Sequence, residues 1–454
     1  SYDALPPPAQ AALRQLGALV ADFDIGLGLA AIGQGDDGED QLHALLRRNL
    51  VSYAPASARW RLHDLIRTLA LRKLIEAGEH DEAQWRYADA VLALLGVISK
   101  DQHSGASITL QEIAEFDRNR PHFGALWEWA NRQRGDERAD AALVQFVRRT
   151  MGIGTSRYNN LDERRGHLEA ALAAAERLQN PEYQTQMLSG LGSAYLRQGK
   201  FAQAIDYYEA ARSIIASMAT PDKKYAAIIT RNIATAYSML QGSDNLRKAI
   251  ELHYQALNIF KDLDLADQIG ITLNNIGITY IQDQENAKGI EVLSELIDFA
   301  RIHNFNELHR FAISNIAEAH INSGDPRSAL PLFEETYNVN KALGLRSSEA
   351  YGLIGCGRSY AALDRPDDAF NAFEEGLIVL LQLGNQWAEA DCRWHYGLAL
   401  ARYGEIDRAL PQLRAAQSYE QSVGHAKAAE HQALIARMEA GETLTTAELE
   451  AAGR

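Results

Sequence analysis

A short phrase recurs through the second half of the chain. It is a large apolar residue beside a small one, usually with a ring three residues on, and then a small–large–small run. The first copies are Leu188, Leu191, Gly192 and Tyr195 with Ala204, Tyr208 and Ala211, and Ile233, Ala234 and Tyr237 with Ala249 and Ala256. Next come Ile276, Gly277 and Tyr280 with Gly289 and Leu293, and Ile316, Ala317 and His320 with Ala329 and Phe333. The last are Cys356, Gly357 and Tyr360 with Ala369 and Phe373, and Tyr396, Gly397 and Leu400 with Ala409, Leu413 and Ala416. A small residue returning at one place in a unit means that each unit is built alike and buries its apolar face against its neighbours.

The small residues Gly192, Ala234, Gly277, Ala317, Gly357 and Gly397 follow one another at steps of 42, 43, 40, 40 and 40. This is the tetratricopeptide repeat (TPR) pattern, two antiparallel helices per unit with small residues where they cross closely. The steps exceed the minimal repeat of about thirty-four, so each helix is expected to run about a turn longer. The second step holds an insertion around Gln241, Gly242, Ser243 and Asp244. Turn residues fall where helices should part: Gln198 with Gly199, Ser323 to Pro326, Asp364 to Pro366, and Tyr403 with Gly404. Residues 426–438 read as an amphipathic capping helix, and a short polar helix over 445–452 follows.

A chain of 454 residues with 46% hydrophobic content and only 11 prolines is expected to be an all-α protein of several domains or one solenoid. Its two cysteines, Cys356 and Cys392, lie inside repeat helices, which argues against a disulfide framework and fits the expectation of a cytoplasmic protein in a reducing compartment. No run reaches the roughly eighteen apolar residues of a membrane span, and no basic-then-apolar signal opens the chain. A net charge of −15 argues against general affinity for nucleic acid.

Upstream of the repeats the character changes. Residues 9–20 form an amphipathic helix after Leu5, Pro6, Pro7 and Pro8, a Gly-rich stretch follows, and a second helix covers 41–49. Leu50 to Tyr53 and Arg59 to Leu62 flank a turn and read as a hairpin, after which His63 and Asp64 open a long helix, with Asp64 as cap or first-turn carboxylate.

These segments resemble the winged-helix part of NB-ARC ATPases of the STAND class. The resemblance rests on Ser1 to Leu5, Leu13 to Gly17, Leu45 to Val51 and Arg59 to Arg67. Leu62-His63-Asp64 is similar to the family's Met-His-Asp motif, with Leu in place of Met. The family role this implies is that His63 reaches the β-phosphate of bound ADP in the closed state, with Asp64 supporting the local geometry. Glu115 to Asn119 and Ala125 to Ala130 resemble the segment that bacterial members place between winged helix and TPRs. The expected organisation is a winged-helix domain with a small β wing over 1–74 and a helical bridge with diverged solenoid helices over 75–180. Six TPR repeats of about 40 residues, forming a right-handed α-solenoid, follow over 181–424, with capping helices over 425–454.

No glycine-rich phosphate loop ending in Gly-Lys-Ser/Thr occurs. The stretch Gly33-Gln34-Gly35-Asp36-Asp37-Gly38 lacks the lysine and carries acids that repel phosphate. The chain is therefore expected to be the C-terminal half of a larger ATPase, with no catalysis and no cofactor of its own. ADP or ATP with Mg would belong to the nucleotide-binding core of the parent, which oligomerises when activated.

The inner face of such an array is lined by the first helix of each repeat. Asn232, Asn275 and Asn315 share one register position, two before the small residue. An amide there can donate to and accept from an extended peptide backbone, or hydrogen-bond an adjacent helix. Arg231, Asn274 and Ser314 stand beside them, and Ile228, Ile271, Phe311 and Tyr351 stand one turn earlier. The expected ligand is a protein or peptide on the concave face, with Arg358, Trp394 and His395 continuing the groove. Cys392 and His395, three apart on one helix, read as packing rather than a nucleophile and base, and the 13 histidines form no ligand cluster. Arg47, Arg48, Arg59, Arg61 and Arg67 make the hairpin region basic, and the alternative function is a transcriptional regulator that reads DNA through a winged helix. The favoured reading turns these arginines to the nucleotide-binding core or to solvent.

Overall fold

The computed structural model describes residues 2–33, 37–98, 109–153, 161–240, 242–423 and 427–453. The chain divides into two compact units, Ser1–Pro221 and Asp222–Arg454. Ser1, residues 34–36 of the acidic Gly-rich stretch, Gln241 of the insertion and the start of the capping helix at Ala426 lie outside the described residues. Among the described residues no helix is long and apolar enough to cross a membrane.

The first unit opens with helices α1 (Pro7–Leu16), α2 (Ile25–Ile32) and α3 (Gly38–Leu46) and a two-stranded antiparallel hairpin, β1 (Ser52–Ala54) and β2 (Arg59–Arg61). Ser52 pairs with Arg61, Tyr53 with Trp60 and Ala54 with Arg59. Phe23 adds a single antiparallel bridge to Trp60, with N–H···O bonds of 2.9 and 2.8 Å in the two directions. The Gly-rich stretch departs from expectation, because it is itself the helix α2. Asp24 caps it by accepting from the Leu27 N–H at 2.7 Å, and a Cβ on Gly28 would meet the buried Phe23 ring at 2.6 Å. Tertiary contact at that ring outweighs glycine's low helix propensity.

Helix α4 (Asp64–Glu76) follows, then α5 (His80–Ile98), α6 (Leu110–Arg132), α7 (Glu137–Arg149), α8 (Leu161–Arg177), α9 (Pro181–Arg197) and α10 (Phe201–Ser217). The hairpin is tied to α6 through one backbone carbonyl. Asp22 O accepts from the Arg59 guanidinium and lies 3.0 Å from His122 Nε2, while Arg59 also donates to Asn119 Oδ1 at 3.0 Å. Phe116 and Asn119, within the bridge segment singled out in sequence, are fully buried here. Arg61 lies 3.5 Å from Asp22, and Arg67 donates to Val20 O at 2.5 Å. Arg59 is buried and Arg67 half-buried, whereas Arg61 is exposed beside Asp22, as are Arg47 and Arg48.

The second unit stacks helix pairs: α11 (Lys223–Leu240) with α12 (Ser243–Asp262), α13 (Ala266–Gln282) with α14 (Asn286–His303), and α15 (Asn306–Asn322) with α16 (Pro326–Ala342). Then come α17 (Arg346–Ala362) with α18 (Pro366–Leu383), and α19 (Gln386–Arg402) with α20 (Ile406–Val423). Helices α21 (Ala428–Glu439) and α22 (Thr446–Ala452) complete it. The repeat helices run 17 to 20 residues, the extra turn expected from the long period. Turn residues adopt positive φ, as at Gly324 (74°) and Asp364 (60°), a conformation that glycine and short polar residues reach most easily.

The recurring small residue has a direct structural cause. Sixteen positions after it, on the paired helix, stands a large residue that fills the space a Cβ would need. A Cβ on Gly277 would lie 2.5 Å from Leu293, on Gly357 2.9 Å from Phe373, and on Gly397 2.6 Å from Leu413. Gly192 meets Tyr208 in the same way at 2.7 Å. Gly277→Ala should therefore cost about 1–3 kcal/mol by overpacking. By contrast Gly376, whose added Cβ would meet nothing nearer than 3.5 Å, should gain about 0.5–1 kcal/mol as Ala. Urea denaturation followed by circular dichroism checks both, and equal effects of the two would refute the close-crossing argument.

Candidate functional site

Within the second unit, the first helices of successive repeats lie side by side and exchange side-chain bonds. Arg231 donates to Gln268 at 2.6 Å, Ser238 and Thr279 hydroxyls meet at 3.0 Å, and Asn315 Nδ2 donates to Asn274 Oδ1 at 3.0 Å. Arg358 Nη1 reaches both oxygens of Glu318 at 2.7 Å. Each bond spans one repeat, so these residues mark the face that the first helices share.

Of the three register asparagines, Asn315 spends its amide on Asn274, whereas among the described residues Asn232 and Asn275 make no side-chain hydrogen bond within the protein. All three are half-buried. The neighbouring strip is open: Ile271 is 37%, Phe311 42% and Tyr351 39% exposed, while Ile228 is half-buried. The Arg231 guanidinium also lies over the Phe260 ring, 5.6 Å from its centroid. The face therefore presents two unengaged amides beside a row of apolar side chains.

Toward α19 its chemistry changes. The residue six before Gly397, in register with Tyr351, is Asp391. Its side chain keeps 39% of its area open, yet the surrounding protein desolvates it, and with Glu318 and Glu420 nearby this pushes the carboxyl up to about 6 despite the opposing charge of Arg358. His395 Nε2 lies 3.6 Å from Asp391, and burial holds that imidazole well below its usual range. Arg358, His395, Arg402, Ile321, Leu449 and Glu450 line a cleft of about 230 Å³. Helix α22 walls it, with Arg402 donating to Glu450 at 2.9 Å and Trp394 Nε1 to Ala452 O at 3.0 Å.

Trp394 departs from its expected place in the groove. It is buried, with its ring stacked on His431 at 3.6 Å, so it holds the C-terminal helices rather than lining the face. Arg358 and His395 do line the cleft. Cys392 donates to Phe373 O at 3.6 Å, and burial pushes its thiol pKa up, which suits packing and not a nucleophile. The Cys356 thiol is likewise pushed up to about 12 by burial. Sequence reading passed over Glu318, Trp387 and Asp391. The register was the available signal, but Asp391 breaks the apolar run at its position and so drops out of a pattern based on residue type.

In the first unit His63 is exposed and occupies the cap position of α4 without a side-chain capping bond, and Asp64 begins the helix 3.6 Å from Arg67.

Residues 183–262 match the tetratricopeptide repeat family model. Among solved structures, the chain is similar to a signal transduction ATPase with numerous domains (STAND) protein with a TPR sensor from Pyrococcus horikoshii. That likeness has 15% identity and a TM-score of 0.51 and covers 96% of this chain and 66% of that one. Aspartyl phosphate phosphatase F from Bacillus subtilis is similar at 13% identity over 86% of this chain and 94% of that one, with a TM-score of 0.53. A Rap protein complexed with competence and sporulation factor is similar at 13% identity over 76% of this chain and 98% of that one, with a TM-score of 0.51. A search of curated proteins finds no match to the chain. These likenesses are of fold, and they make this a TPR-type helical-repeat protein.

The raised Asp391 carboxyl has a consequence for stability. A folded pKa near 6, above the unfolded value, means that the stabilising contribution is complete below the ordinary Asp range and is lost as pH rises through 6. Asp391→Asn should therefore raise the melting temperature at pH 8 and raise it less at pH 4. A destabilised variant at pH 8, or an equal shift at both, would refute the desolvation argument.

Proposed function

We propose that the chain is the regulatory, ligand-sensing portion of a STAND-class NTPase, with the TPR array binding a protein or peptide segment along the first-helix face. The observation that carries this is the pairing of unengaged amides at Asn232 and Asn275 with the exposed strip Ile271, Phe311 and Tyr351. An extended backbone pairs with such amides while its side chains take the apolar positions. The similarity of 96% of the chain to a STAND protein with a TPR sensor supports this setting.

The order α1, the Phe23 bridge, α2, α3 and hairpin supports a winged helix within residues 1–74. His63 would then face the ADP of a nucleotide-binding core in the parent protein. Its fit to a phosphate rests on an exposed imidazole at a helix N-terminus that carries no side-chain cap. There His63 would hold the ADP phosphate, whose charge would favour the closed state, and ligand on the repeats would shift that balance through unequal affinity for the two states. Oligomerisation follows in the opened parent. The DNA-reading alternative gains less support, because Arg59 is buried against Asp22 and Asn119 and Arg67 donates to Val20 O, which leaves Arg47, Arg48 and Arg61 exposed.

Hexapeptides selected by display against the 454-residue chain test the face. Each amide bond is worth roughly 0.5–1.5 kcal/mol, so Asn232→Ala with Asn275→Ala should weaken a selected peptide about 10-fold or more with the melting curve unchanged. Affinity equal to the parent would refute the ladder. Duplex DNA at low salt should not bind tightly, and salt-sensitive binding lost on changing Arg47 and Arg48 would favour the transcriptional reading instead.

A further inference from the structure

The strip of exposed side chains on the first-helix face runs past Tyr351 to two residues that the peptide ladder does not use. Trp387 and Asp391 are four apart on α19 and so project from one side of that helix. Tyr351 comes from α17, and its ring centroid lies 6.3 Å from that of Trp387 at an interplanar angle of 49°. Both rings are open, Trp387 at 55% and Tyr351 at 39%. Burial, and after it the nearby Asp391 carboxylate, raises the pKa of the Tyr351 hydroxyl, so the three groups share one neighbourhood.

The charges around Asp391 leave it under-compensated. Arg358, the guanidinium beside it, is already engaged by both oxygens of Glu318 at 2.7 Å. Among the described residues the one ion-pair contact of Asp391 is His395 at 3.6 Å, which burial and the charges of Arg358 and Lys427 keep neutral. Glu420 adds a further carboxylate, bonded to His431 at 2.8 Å, and burial shifts that imidazole downward as well. A desolvated carboxylate beside two exposed aromatic faces offers net negative charge and a ring quadrupole to the same visitor. An apolar side chain there would desolvate Asp391 further without compensation, and an acidic one would be repelled.

We propose that Tyr351, Trp387 and Asp391 form a subsite for one cationic group of the ligand, a guanidinium or an ammonium. The subsite rests on the reading of the first-helix face as the ligand surface, and it adds to that reading a ligand with a basic residue toward the α19 end. Asp391 supplies the charge, Trp387 and Tyr351 take the flat or methylene part of the cation, and the Glu318–Arg358 pair keeps Arg358 from neutralising the site.

The test uses three labelled hexapeptide pools that differ at one fixed position, which carries Arg or Lys, Asp or Glu, or Leu or Ile. Anisotropy is read with the parent chain, with Asp391→Asn, with Trp387→Leu, and with the Asn232→Ala, Asn275→Ala pair. The basic pool should bind the parent about 10-fold tighter than the acidic pool, and Asp391→Asn should reduce that preference to about 2-fold or less. Trp387→Leu should weaken the basic pool about 3- to 10-fold and leave the apolar pool little changed. Binding that depends on Asn232 and Asn275 but is indifferent to peptide charge, or a preference that survives Asp391→Asn, would overturn the subsite and leave the ligand face standing. Failure of every pool to bind would overturn both. Each variant is checked by its thermal melt, and Asp391→Glu should restore the basic preference in part, an outcome that a packing role for Asp391 does not give.

Discussion

The approach of the two helices within each repeat is the constraint on which the rest of this structure depends. At Gly192, Gly277, Gly357 and Gly397 the partner helix delivers a Tyr, Leu or Phe side chain into the volume a Cβ would take. Close packing there buries the large residue completely, as at Tyr208, Leu293, Phe373 and Leu413. It also sets the angle at which each pair presents its first helix to the next repeat. The bonds Arg231 to Gln268, Asn315 to Asn274 and Arg358 to Glu318 are possible because the first helices are brought side by side.

A face built this way has a division of labour along its length. Where α11, α13 and α15 meet, the polar groups bonded across it are the Arg231 guanidinium, amides and hydroxyls, beside the aliphatic and aromatic side chains of Ile271 and Phe311. Between α15 and α19 acidic groups join the cations, and each charged group is conditioned by the others. Glu318 holds Arg358, burial and then the Arg358 charge lower the proton affinity of His395, and desolvation raises that of Asp391. The same register position that carries Ile271, Phe311 and Tyr351 carries Asp391 in the last repeat, so one helical position changes from an apolar contact to an electrostatic one. Helix α22 bounds this end through Trp394, Arg402 and Leu449.

The first unit is organised around a different kind of contact. Asp22 O, a single backbone carbonyl, is gripped by Arg59 from the hairpin and faces His122 from α6. A buried guanidinium needs such partners. This explains why Arg59, which reads in sequence as part of a basic patch, is internal, and why Asn119 and Phe116 are buried in the adjoining helix. The helix over Ile25–Ile32 has a similar origin. Its glycines argue locally against a helix, but Gly28 against Phe23 and the Asp24 cap favour one once the core forms.

What the sequence determined by itself was periodic: the helix pairs, their length, the turns between them, the short hairpin and the register of the first-helix positions. Periodicity survives in a linear chain because each repeat meets the same local packing problem and solves it with the same residue types. What only the tertiary structure decided was which polar groups are already spent. Asn315 and Asn232 are indistinguishable in sequence, yet one is bonded to Asn274 and the other is not. Trp394 and Trp387 lie on one helix, yet the first is stacked under His431 while the second stands open. Engagement depends on the neighbour across the repeat, some forty residues away in sequence, and no local pattern records it.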